Sequence, residues 1–292
     1  MAQAAEVSRR IRMAAPAEPV ELVGILTEGD RENQPMGGKG MFVKAIDEAV
    51  LSGRADLAAH SAKDVPVEIP EGLAIAAVLP RETVSDLIVS RDGWSLDTLP
   101  SQTSVATSAL RRASQLKFLR PDVLVSPVRG NIETRLDKIE NGAAALLAAA
   151  GINRLGGPAA VLTPRALRGV LLDPLEFLPA PAQGAILIIS RVSDAARFSF
   201  LNHPDSAAAV RLERQLVSHL GADCSWPVGA WARPLAGGEL SLTGAIFSIN
   251  GKLRVREELT GLPDSDLPKR LADRLLDMGG RKILEWNRRK TI

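Results

Sequence analysis

The chain has one cysteine, no tyrosine and only 3% aromatic residues among its 292. A single thiol, Cys224, excludes an intrachain disulfide and is too few for a cysteine zinc cluster. Two uses remain for that sulfur, packing as a small hydrophobe or covalent chemistry, and no metal is expected. Scarce aromatics leave few stacking platforms for single-stranded nucleic acid. No apolar run reaches the roughly 18 residues that span a bilayer. The opening Met1-Ala2-Gln3-Ala4-Ala5 has no signal-peptide core. With no paired cysteines, the expectation is a cytoplasmic protein with neither a membrane nor a nucleic-acid partner.

What is present is ordinary globular material, 46% hydrophobic and 24% charged, in a chain long enough for two or three cores. Residues 2–13 read as an amphipathic helix and Val20 to Thr27 as a strand. Phe42 to Ser52 reads as a helix, its apolar residues falling at 42, 43, 46, 49 and 50. Strands are expected at 56–60, 73–79, 86–90, 104–107, 123–128, 144–149 and 185–190. Helices at 108–119 and 131–139 alternate with them, which implies α/β units. The last third begins with a helix at 204–219. A hairpin over 240–249 and 252–259 turns at Asn250-Gly251, and a helix follows at 266–278.

Four runs carry candidate chemistry. Gly37-Gly38-Lys39-Gly40-Met41-Phe42 is a glycine-rich turn opening a helix, where exposed amides favour an anion; a plain flexible loop is the alternative. It lacks the spacing of a phosphate-binding P-loop. His60-Ser61-Ala62-Lys63-Asp64-Val65-Pro66 places a polar cluster at the carboxyl end of a strand, where open α/β sheets bind ligands. There Asp64 is suited to stabilising a cation or moving a proton, and Lys63 to holding a carboxylate. Thr107-Ser108-Ala109-Leu110-Arg111-Arg112 and Arg129-Gly130-Asn131-Ile132-Glu133-Thr134-Arg135 put guanidinium forks on strand-to-helix loops. Such forks grip carboxylates bidentately and suit a small ligand bearing several of them. Adjacent arginines do not share a helical face, so Arg111 and Arg112 need not both serve the ligand; a solvated arginine face making surface pairs is the alternative.

These runs, with Arg54 to Pro66, Arg81-Glu82, Gly151-Ile152-Asn153-Arg154-Leu155-Gly156, Pro181-Ala182-Gln183-Gly184-Ala185 and Gly221-Ala222-Asp223-Cys224-Ser225-Trp226-Pro227, closely resemble the hydroxymethylbilane synthase (porphobilinogen deaminase) family. The pieces occur in the right order from about Glu21 to the C-terminus. The resemblance implies an α/β fold of two lobes like type II periplasmic binding proteins, plus a small C-terminal α/β domain carrying the cofactor cysteine. It places the first domain at 1–79 with 179–197, the second at 84–174 and the third at 200–292. It implies a transferase that deaminates four porphobilinogen molecules and joins them into hydroxymethylbilane in tetrapyrrole biosynthesis, working as a cytoplasmic monomer.

By the same resemblance, a dipyrromethane cofactor is held by a thioether on Cys224, and Asp64 is the catalytic carboxylate. Lys63, Ser61, Arg111, Arg112 and Asn131 are expected at the cofactor. Arg129, Arg135, Arg154, Lys39, Phe42 and Gln183 are expected at the substrate, with Gln183 on a crossover between domains. His60 matches by position and is equally suited to a structural role. Members of the family usually begin with a strand leading into an Arg-x-Ser-x-Leu-Ala loop, and the resemblance here starts beyond it. A first domain without that strand is expected to be weakened. Ala106, Ala109 and Ala143 stand where glycine, serine and aspartate are common. The alternative is a truncated or degenerate homologue that binds pyrrole polycarboxylates without turnover.

Overall fold

The computed structural model describes residues 2–25, 41–222 and 226–291, with the side chains of residues 41, 42 and 291 left aside. Two helices, α1 (Ala2–Ala14) and α2 (Met41–Leu51), precede strands β1 (Leu57–Ser61) and β2 (Leu73–Val78). The chain then crosses into β3 (Asp86–Ser90), β4 (Ser104–Ala106), α3 (Leu110–Leu119), β5 (Leu124–Ser126) and α4 (Ile132–Asp137). β6 (Ala143–Ala148), α5 (Ala149–Arg154), α6 (Gly157–Val161) and β7 (Arg168–Leu171) follow, before a return crossing to β8 (Ile186–Arg191). The remainder is α7 (Pro204–His219), β9 (Val228–Pro234), β10 (Leu240–Phe247), β11 (Arg254–Gly261), α8 (Leu267–Leu275) and α9 (Arg281–Thr291).

The described strands make three sheets, in a mixed α/β architecture. The first has the order β1-β8-β2, with β8 antiparallel to both neighbours. The second runs β5-β4-β6-β3-β7: β4 pairs in parallel with β5 and β6, while β3 pairs antiparallel with β6 and β7. The third is the antiparallel meander β11-β10-β9. β8 is buried along nearly its whole length because α1 covers one face and α2 the other, and its Ile-Leu-Ile-Ile run reads accordingly as continuous apolar sequence. In the third unit, α7 and α8 pack Leu212, Leu216, Leu271 and Leu275 on Leu242 and Ile246 of β10.

One expected strand is absent. Residues 20–25 carry no regular structure, and Leu22 and Val23 are 42% and 52% exposed. Pro19 precedes that run, and no described strand pairs with it; Val20 packs against the core beside α1, while Leu22 and Val23 are left on the surface. The rest of that expected strand, 26 and 27, lies outside the described residues. β7, β9, α5, α6 and α9 are additions to the sequence reading.

Two crossings join the first and second sheets, at 79–85 and 172–185, and they run side by side. Glu82 N donates to Gly184 O at 3.2 Å, and the Arg81 side chain donates to Gln183 O at 2.8 Å. The end of β1 therefore lies near the start of β3, and the loops that carry the chemistry converge there.

Candidate functional site

Two adjoining cavities of about 340 and 640 Å³ open at this convergence, and their common wall contains Lys63, Asp64, Arg112 and Arg135. Asp64 closes a single 3-10 turn, Ala62–Asp64, directly after β1, and its side chain is exposed to the cleft. The turn is pinned on both sides. Ala62 N donates to Ala185 O at 3.0 Å, and Arg214 of α7 donates to the carbonyls of Val65, Pro66 and Val67 at 3.1, 2.6 and 2.9 Å. The third unit thus fixes the chain just beyond Asp64.

Behind this wall lies Asp86, at the start of β3 and fully buried. Arg111 Nη2 donates to one of its oxygens at 2.6 Å; Arg112 Nε and Nη2 donate to the other at 3.0 and 2.8 Å. Burial alone would raise the Asp86 carboxyl, but the two guanidinium groups, with hydrogen bonds from Arg112 and Gln183, hold it far below the usual carboxylate range. Sequence reasoning had passed over Asp86. A carboxylate opening the apolar run Asp-Leu-Ile-Val-Ser was the available signal, since a buried acid requires cationic partners.

Gln183, also fully buried, links these groups. Its Nε2 donates to Asp86 Oδ1 at 2.9 Å and to Val84 O at 2.7 Å, and its Oε1 accepts from Lys63 Nζ at 3.4 Å. Withdrawal from water, then repulsion from Arg112, pulls the Lys63 ammonium down to about 8, against the opposing pull of Asp64 and Asp86. Burial likewise pushes Arg111 and Arg135 below their ordinary values, with Arg112 adding to each.

The smaller cavity is lined by five cations (Lys63, Arg111, Arg112, Arg135, Arg214) and one acid, Asp64, among the described residues. Asp86 behind the wall offsets part of this excess but leaves Arg111 Nε buried without a hydrogen-bond partner. Such an arrangement attracts carboxylates. The larger cavity adds Ser61, Asn131 and Arg154. Ser61 Oγ accepts from Gln3 of α1 at 2.5 Å; Asn131 caps α4 by accepting from Thr134 N at 2.8 Å. Arg154 Nη2 donates to Gly184 O at 2.6 Å, and its Nε lies 3.6 Å from Glu6 of α1.

Of the residues expected from sequence, Asp64, Lys63, Ser61, Arg111, Arg112, Asn131, Arg135, Arg154 and Gln183 come together here. Arg129 does not: it is exposed and lines neither cavity. His60 belongs to β1, and its buried side chain pairs with Asp47 of α2, 3.2 Å apart, which is a packing role. Cys224 and Lys39 lie outside the described residues, as does the side chain of Phe42.

A cleft between α/β sheets, walled by arginines around the Asp64 carboxylate, defines a class: proteins that act on small polycarboxylates. Comparison narrows the class. Residues 1–198 match the family model described as porphobilinogen deaminase, dipyromethane cofactor binding domain, and residues 207–277 match that of the porphobilinogen deaminase C-terminal domain. The chain is 44% identical to the porphobilinogen deaminase of Pelobacter propionicus, over 97% of this chain and 92% of that one. It is 42% identical to that of Syntrophobacter fumaroxidans and 41% identical to that of Chromobacterium violaceum, each over 97% of this chain and 93% of the relative. The chain belongs to the porphobilinogen deaminase family.

Proposed function

We propose that the chain is a porphobilinogen deaminase, a transferase that deaminates porphobilinogen and joins four units into hydroxymethylbilane. The observation that carries this reading is the position of Asp64, in the wall shared by two cation-lined cavities. Loss of ammonia from the substrate's aminomethyl group leaves a cation spread over the pyrrole ring. A fixed carboxylate beside it lowers the energy of that charge and takes up the proton released when a new carbon–carbon bond forms.

The donor set fits the family's dipyrromethane cofactor, because the cation excess and the orphaned Nε of Arg111 call for ligand carboxylates. When bound, that group supplies two linked pyrroles as the acceptor for chain growth, with Cys224 assigned as its thioether anchor. Lys63, Arg111, Arg112, Ser61 and Asn131 are assigned to hold its side chains. Arg135 and Arg154, with Arg129, Lys39, Phe42 and Gln183, are assigned to the incoming substrate and growing chain. For Arg129 the assignment requires a movement of its exposed side chain into the cleft.

The same reading divides the chain at 1–79 with 179–197, 84–174 and 200–292, a division that the three separate sheets support. The two crossings beside Gln183 are suited to hinge two lobes of the periplasmic-binding type. A cytoplasmic monomer completes the reading; among the described residues no helix is long and apolar enough to cross a membrane.

Intact mass of the purified chain under denaturing conditions, with peptide mapping around Cys224, tests the proposal. An excess of two linked pyrrole units on that cysteine is expected, absent in Cys224→Ser. Asp64→Asn is expected to keep its fold and bind substrate but turn over very slowly. A wild-type chain that stays unmodified after incubation with porphobilinogen would mark it as a binder without turnover.

A further inference from the structure

Trp226 is the only aromatic residue among the described residues lining either cavity. It shares the smaller cavity with Lys63, Asp64, Arg111 and Arg112, and its other side packs on the core formed by α7, α8 and β10. The ring is held in place from the C-terminal helix. The Arg288 guanidinium of α9 lies 5.4 Å from the Trp226 ring centroid, and Arg288 Nη2 donates to Gly221 O at 3.2 Å. One arginine therefore braces the indole and a carbonyl five residues earlier in the chain. α9 is itself fixed to the third sheet by Asn287, whose amide donates to Phe247 O at 2.9 Å and accepts from Ile249 N at 3.0 Å.

A half-buried indole stands out in a cavity whose other described walls are cations, polar groups and aliphatic side chains. The cations pair with ligand carboxylates, and the indole adds an apolar face for a flat ring. A pyrrole offers both, carboxylate arms and an electron-rich π face, and an aromatic wall matches the second feature.

We infer that Trp226, braced by Arg288, is the aromatic contact for a pyrrole ring of the substrate or growing chain, and that Arg288 is a positioning residue acting through it. This rests on the deaminase reading of the cleft. The contact sets specificity for a ring rather than for carboxylates alone.

The test uses the full chain in five forms: wild type, Trp226→Leu, Trp226→Phe, Arg288→Gln and the double variant Trp226→Leu with Arg288→Gln. Each is checked for bound pyrroles by intact mass and for folding by thermal melting. In Trp226→Leu, KM for porphobilinogen is expected to rise roughly three- to tenfold, the size of one aromatic contact, with kcat within about twofold. Trp226→Phe keeps most of the affinity because it keeps a ring. Arg288→Gln raises KM about twofold and adds nothing further in the Trp226→Leu background, whereas an independent structural role would add. Independently of turnover, mixing with porphobilinogen is expected to shift tryptophan emission in wild type, and Trp226→Phe is expected to lose that shift. Should Trp226→Leu not fold, the Phe variant's emission and the Arg288→Gln KM decide the matter. A working wild type whose Leu variant keeps its KM, or whose emission shift survives in Trp226→Phe, overturns the contact alone. A wild type with neither bound pyrroles nor turnover overturns the deaminase reading and the contact with it.

Discussion

Arg81 and Glu213 form a bidentate pair, Nη1 and Nη2 donating to the two carboxylate oxygens at 2.6 and 2.9 Å, across 132 residues of sequence. The same carboxylate accepts from Ala182 N at 2.5 Å and from Ala232 N at 2.7 Å. One buried side chain of α7 thus ties both crossings between the first two sheets to the first strand of the third. Removing it leaves two amides without this acceptor and a cation held only by the Arg81 Nε bond to Gln183 O. Glu213→Ala is expected to cost about 3–5 kcal/mol of stability, the range for breaking one partner of a buried ion pair. Urea denaturation measures it; a loss under about 1 kcal/mol would mean that solvent or a neighbour replaces the carboxylate.

Asp86 gives a prediction with a pH signature. Its carboxyl titrates below the ordinary aspartate value near 3.9. Its stabilising contribution is therefore complete above that value and is lost as pH falls beneath it. Asp86→Asn is expected to be markedly less stable than wild type at neutral pH, with the gap narrowing as pH drops from about 5 toward 3. Turnover falls as well, because Arg111 and Arg112 lose the group that aims them. A stability gap that stays constant from pH 7 to pH 3 would show that the asparagine fails for reasons of shape.

How far the sequence foretold this site depends on how local each relationship is. α7 was legible at roughly 204–219, and its start is local: Pro204 opens it and His203 caps it by accepting from Ser206 N. The hairpin turn at Asn250-Gly251 was equally readable, since Gly251 takes φ 71°. Asp64, Lys63 and the arginines were marked by residue type and by their place at strand ends. Partnership was not readable. Asp86 meets Arg111 across 25 residues and Gln183 across 97, and Lys63 meets Gln183 across 120. Neither Arg111 nor Arg112 could be sorted from sequence between ligand and packing, and both prove to hold Asp86 while lining the cleft. β7 escaped notice because it is a four-residue edge strand with Leu171 60% exposed, leaving no alternation to detect.

Lys63 makes substrate binding sensitive to mild alkali. With its ammonium pulled down to about 8, the residue carries its charge below that pH and loses it above. Only the charged form attracts ligand carboxylates. KM for porphobilinogen is expected to rise between pH 7 and pH 9, and Lys63→Met is expected to lose that step while showing a higher KM at pH 7. The sign for stability is opposite: charging Lys63 inside the fold is unfavourable, so stability rises from about pH 8 toward the ordinary lysine value. An alkaline KM step that persists unchanged in Lys63→Met would assign it to another group.

Gly184 sits where the two crossings touch, with φ +87°, and an added Cβ would meet Glu82 O at 2.4 Å and Thr83 O at 2.7 Å. Both obstacles are backbone, so neither can swing aside. Gly142 provides the control, having φ +75° and nothing within 4 Å of an added Cβ. Each alanine variant bears the strain of a left-handed residue, on the order of 1 kcal/mol, but only Gly184→Ala must also force the crossings apart. The expected result is a stability loss at 184 exceeding that at 142 by roughly 2 kcal/mol or more. Activity should fall with it, since Gln183 is the next residue and links Lys63 to Asp86. Equal losses in the two variants would mean that backbone strain alone calls for glycine at 184 and that the crossings have room to separate.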